Sequence, residues 1–91
     1  MRLILTPDQK RIALVLIDAY PMSVRLVHQD NLHRYPIRER TTGAALVRKG
    51  MVTLSPRGVA RATSGLLELA DILRADDAAG RIPPRRIPAT Q

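Results

Sequence analysis

Apolar residues in this chain fall into short helical and alternating runs punctuated by proline and glycine, and that pattern predicts most of its elements. Residues 1–5 (MRLIL) read as an edge strand or a lead-in beneath the first helix. Thr6-Pro7-Asp8-Gln9 is a helix start, with Thr6 at the N-cap, Pro7 at the first helical position and Gln9 placed to close a capping box. The helix is expected over 7–19, and its run from Ile12 to Ile17 is apolar nearly all round, as in a central buried helix. Tyr20-Pro21 ends it, because proline disfavours helix in the residue before it.

Residues 22–31 (MSVRLVHQDN) read as a short second helix capped by Ser23, although Val24, Leu26 and His28 also alternate like a strand. Residues 32–37 (LHRYPI) form a turn region, longer than usual between two helices, with Pro36 blocking helix through Tyr35. From Arg38 the pattern turns helical again and stops at Gly50, a glycine after Arg48-Lys49 that takes the left-handed cap at little cost. Met51 to Leu54 and Val59 to Thr63 are two strands joined by the turn Ser55-Pro56-Arg57-Gly58. A last helix over 64–75 follows, with Leu66, Leu67, Ala70 and Leu73 on one face. A competing reading starts a single helix at Pro56 and carries it to 75, which removes the second strand of the hairpin. Residues 81–91 (RIPPRRIPATQ) hold three prolines and form either a disordered basic tail or an extended arm laid on another surface.

These elements predict a mostly helical α+β domain over 1–75 and a flexible basic, proline-rich tail over 76–91. With two tyrosines and neither phenylalanine nor tryptophan, the core must be aliphatic, and so small a core is often completed by a second subunit. Leu66, Leu69, Ile72 and Leu73 would supply that contact in a homodimer. The absence of cysteine removes disulfides and thiolate metal sites, and nothing resembles a membrane span or a secretion signal, so a cytoplasmic protein is expected.

Charge changes the picture most. The chain carries a formal net charge of +7, and residues 22–61 hold eight arginines or lysines against only Asp30 and Glu39. Cations concentrated around a helix and a hairpin form a footprint suited to a polyanion. Thirteen of the fifteen are arginine, whose forked guanidinium suits phosphate and guanine edges. Arg38, Arg40, Arg48, Lys49, Arg57 and Arg61 are the candidates for such contacts. His28, Asp30 and His33 have a faint metal-site flavour, but no helix or strand aims all three at one point. No nucleophile has a base to activate it, so neither an enzyme nor a cofactor is expected.

The phrase GAALVRKGMVTLSPRG, at 43–58, resembles the second half of the winged helix-turn-helix fold of bacterial and phage transcription regulators, including MarR-like and PadR-like proteins. In these an aliphatic recognition helix ends in two basic residues, a glycine and an aliphatic-valine pair, here Arg48-Lys49-Gly50-Met51-Val52. The resemblance implies three core helices, a wing and a C-terminal helix. It places Arg38, Arg40, Thr41, Thr42, Ala45 and Arg48 on or near the helix that enters the major groove, and Arg57 at a wing tip reaching phosphate or minor groove. Glu39 and Gly43 depart from the family pattern: an aliphatic residue is usual near the first, and glycine weakens a helix interior. The implied function is sequence-specific binding of double-stranded DNA by a small repressor-like regulator of the kind phages encode. Two other functions fit the same residues: a module that binds an acidic partner protein, and an architectural or recombination-directionality factor that bends DNA.

Overall fold

A computed structural model describes residues 4–28 and 37–85. The order is α1 (Pro7–Ala19), β1 (Val24–Arg25), α2 (Glu39–Arg48), β2 (Val52–Leu54), β3 (Val59–Ala62), α3 (Ser64–Leu67) and α4 (Ala70–Ala78). This is a small α+β domain with a three-stranded antiparallel sheet of order β1-β3-β2. Among the described residues no helix is long and apolar enough to cross a membrane.

α1 begins as its sequence dictates. The Thr6 hydroxyl accepts from the Gln9 amide at 3.2 Å, and the Gln9 side chain accepts from the Thr6 amide at 3.1 Å. Ile12, Leu14 and Leu16 are buried, and α1 packs against α2, α3, α4, β1 and β3, so it is the central helix. Leu26, Leu46 and Leu66 complete the middle of an all-aliphatic core.

The second helix expected over 22–31 is not formed where the chain is described: Val24 and Arg25 are strand, paired with Ala60 and Val59. The alternation of Val24 and Leu26 is what counts, because β3 would otherwise have a bare edge. The Leu26 amide extends the pairing by donating to the Gly58 carbonyl at 2.8 Å. Residues 29–31 of that segment and the turn region at 32–36 lie outside the described residues.

α2 stops at Gly50, which has φ +74°, and Met51 donates to the Leu46 carbonyl as the chain leaves for β2. The hairpin follows, with Gly58 at φ +81° closing the turn and the Val59 amide donating to the Ser55 hydroxyl. A helix running from Pro56 to 75 is therefore excluded, since β3 is hydrogen-bonded on both edges. Gly43 lets α2 lie close on the sheet: a β-carbon there would sit 2.6 Å from a Leu26 methyl.

The single helix expected over 64–75 is two. α3 is capped by the Thr63 hydroxyl, and a tight turn in which the Leu69 amide donates to Leu66 precedes α4. Leu66 before the break and Leu73 after it are both buried in the core. Nor does a tail begin at 76: α4 continues to Ala78, Gly80 reverses the chain at φ +75°, and Ile82 is buried. Arg11 on α1 fastens this arm, binding the Asp77 carboxylate at 2.7 Å and the carbonyls of Ile82 and Pro83. Lys10 binds Asp76 at 2.8 Å, and Arg81 reaches the same carboxylate at 3.2 Å. The extended-arm reading thus describes 81–85, while 86–91 lie outside the described residues.

Gly58 is the most constrained turn position, because a β-carbon would both strain its backbone and meet the Arg40 guanidinium. Gly50 shares the positive φ but faces open space. Gly58→Ala should cost about 2 to 3 kcal/mol and Gly50→Ala about 1 kcal/mol; urea unfolding that ranks them equal would show that Arg40 is not seated on the turn. The hydrogen bond from Lys10 chiefly holds the Asp76 carboxyl below its ordinary 3.8; desolvation opposes it, and the charge of Lys10 and the contact with Arg81 add to the lowering. A carboxyl depressed on folding contributes stability above its unfolded pKa, and that contribution is lost as pH falls through the folded value. Asp76→Asn should therefore flatten the decline in stability below pH 3.8, seen in thermal melts across an acid series.

Candidate nucleic-acid interface

α2 divides its residues cleanly. Glu39, Gly43 and Leu46 are buried, so Thr41, Ala45 and Arg48, recurring at i, i+4 and i+7, fall on the outward face. Arg38, at the N-cap, is exposed beside the start of that stripe. Thr42 is half-buried, and its hydroxyl bonds back to the Arg38 carbonyl at 3.2 Å, so it braces the first turn.

Two of the expected contact residues are occupied by the fold. The Arg40 guanidinium donates to the Leu26 carbonyl at 3.3 Å and to the Arg57 carbonyl at 2.9 Å, spanning β1 and the hairpin turn. The Lys49 ammonium donates to the Ile4 carbonyl at 2.6 Å and to Gln9 at 3.0 Å, tying the end of α2 to the start of α1. Donors engaged in this way are poor ligands for an incoming phosphate, since each new contact would break one already made. Arg57 is exposed at the turn, close to the first turn of α2 through the Arg40 bond. Arg61 is exposed on β3 opposite Thr53, with its guanidinium 5.4 Å from the centre of the Tyr20 ring.

α2 thus carries Arg38, Thr41, Ala45 and Arg48 along its outward side, the Arg40 bond sets the Arg57 backbone beside its first turn, and Arg40 and Lys49 are engaged by carbonyls of the fold. Among the described residues, the ion pairs take up Lys10, Arg11, Arg74, Arg81 and Arg85; those cations of α2 and the hairpin pair with no carboxylate.

Glu39 has a role that its position in the sequence conceals. Only 6% exposed, its carboxylate accepts from the Val27 amide at 2.8 Å and from two nitrogens of Arg85 at 2.7 and 2.8 Å. Arg85 also donates to the Arg25 carbonyl at 3.2 Å, and the ion pair raises its already high pKa. The only sequence signal was a lone acid at a normally aliphatic position and a distant arginine among prolines. Beside this pair lies a cleft of about 340 Å³, lined by Asp8, Arg11, Ile37, Thr41 and Pro83 among others.

No group of three metal-ligating side chains occurs among the described residues, where His28 is exposed; Asp30 and His33 lie outside them. Of the residues expected at a dimer contact, Leu66 and Leu73 are buried in the chain's own core and Leu69 is half-buried. Ile72 alone of the four is well exposed, at 63%. A partner on this helix would thus meet a much smaller apolar surface than the sequence pattern suggested.

Removing one partner from a buried ion pair leaves the other charge uncompensated. With Arg85 partly open to solvent, Arg85→Ala should lower stability by about 1 to 3 kcal/mol in denaturant unfolding; an unchanged midpoint would mean that the arm does not hold Glu39. No family model matches this chain, and neither curated proteins nor solved structures provide a match to it.

Proposed function

We propose that this chain is a winged helix-turn-helix protein that binds double-stranded DNA, with α2 as the recognition helix and the β2–β3 hairpin as the wing, and that it acts as a repressor-like transcription regulator. The observation that carries this reading is the outward stripe of α2. Two arginines, Arg38 and Arg48, flank the short side chains of Thr41 and Ala45, and no carboxylate pairs with either arginine among the described residues.

The physical case is one of shape and charge together. A helix fits a major groove about 12 Å wide, and short side chains at its centre let the backbone approach the base edges. Arginines at its two ends reach phosphates or guanines, and Arg57 on the adjacent turn reaches the flanking backbone. Binding is by groove insertion and phosphate neutralisation, without catalysis. Arg40 and Lys49 contribute by holding α2 against the hairpin and α1.

Titration of duplex DNA across a salt series tests this directly. Arg48→Ala should weaken binding by about 1 to 3 kcal/mol if it reads a base, or reduce the salt slope by about 1 if it touches phosphate. Lack of binding to random-sequence duplex at about 50 mM salt, where nonspecific affinity is strongest, would overturn the proposal. That outcome would favour an acidic protein as the partner of the same face.

A further inference from the structure

The outer face of the sheet is a second cationic surface, separate from the stripe on α2. In an antiparallel sheet directly paired residues share a face and successive residues alternate. Ala60, fully buried, sets the inner face together with its partners Val24 and Leu54. The outer face therefore carries Arg25 on β1, Val59 and Arg61 on β3, and Thr53 on β2. Arg25 lies opposite Val59, so Arg25 and Arg61 are diagonal neighbours, about 7 to 8 Å apart at the backbone. Both are exposed, and no acidic residue occurs on any of the three strands.

An aromatic ring borders this face. Tyr20, at the end of α1, is 44% exposed and lies under the Arg61 guanidinium. A flexible single strand can lie across such an open sheet face. Paired guanidinium groups then meet its phosphates, and planar groups stack on its bases. The same charge would be a poor surface for another copy of this chain, which carries the same net positive charge.

We infer that the outer sheet face, through Tyr20, Arg25 and Arg61, binds single-stranded nucleic acid. This surface does not depend on the duplex-binding reading of α2, and one experiment separates the two. Fluorescence anisotropy with a labelled oligothymidine and with a random-sequence duplex, at about 50 mM salt, is measured for the unaltered protein and two variants. The double variant Arg25→Ala, Arg61→Ala should lose about tenfold or more in single-strand affinity, a larger factor than it loses in duplex affinity. Arg48→Ala should show the reverse order. Tyr20→Leu, which keeps an apolar side chain but removes the ring, should weaken single-strand binding alone. Both arginines are exposed, and circular dichroism melts verify that the variants fold. The inference is overturned if the unaltered protein does not bind the oligothymidine, if the double variant binds it as well as the unaltered protein does, or if both arginine variants lower both affinities equally. Failure of duplex binding with single-strand binding intact would overturn the reading of α2 and leave this one standing.

Discussion

The buried carboxylate of Glu39 is the point on which the arrangement around α2 depends. A charge this far from water is tolerated only where donors surround it, and here they come from distant parts of the chain: the Val27 amide beyond β1 and the Arg85 guanidinium at the end of the arm. One side chain thereby fixes the entry of α2 against the sheet edge and draws the C-terminal segment across it. Apolar contact could have packed the same position more cheaply in free energy. It would not have specified which strand and which arm meet there, and the ion pair does, because its donors must be in place for the carboxylate to be buried.

Arg40, one residue on, works in the opposite direction. Its guanidinium crosses to the hairpin turn over Gly58, so adjacent residues of α2 hold β1 and the arm on one side and the turn on the other. The position of Arg57 relative to the outward stripe follows from that bond. A basic helix and a basic turn are common surface features taken singly; here a backbone-directed arginine holds the two at a fixed separation.

Acid and base are sorted by the same logic across the molecule. Asp76 and Asp77, at the end of α4, are bound by Lys10 and Arg11 near the start of α1, and Asp18 pairs with Arg74. Acidic side chains of the C-terminal helix thus neutralise the cations of α1, and leave those of α2, the hairpin and the outer sheet face without carboxylate partners among the described residues. Among the described residues the excess positive charge is thereby displayed on α2, the hairpin and the outer sheet face.

Local chemistry made much of this legible in the amino-acid sequence: the Thr6 capping box, the Gly50 stop, the Pro56-Gly58 turn and the outward spacing of Thr41, Ala45 and Arg48 each follow from a few neighbouring residues. Strand β1 was ambiguous, since Val24 and Leu26 fit two periods and only the unpaired edge of β3 selects one. The break between α3 and α4 was invisible because the leucines keep helical spacing through it. Which arginines face solvent was decided by tertiary structure alone. Arg38 and Arg40, or Arg57 and Arg85, are alike as residues, and they are separated only by whether a carbonyl or carboxylate from elsewhere in the chain lies within reach. Composition and periodicity determine where charge and apolar surface occur along the chain; the hydrogen-bond partners that hold some cations inward and leave others free are brought together only by folding.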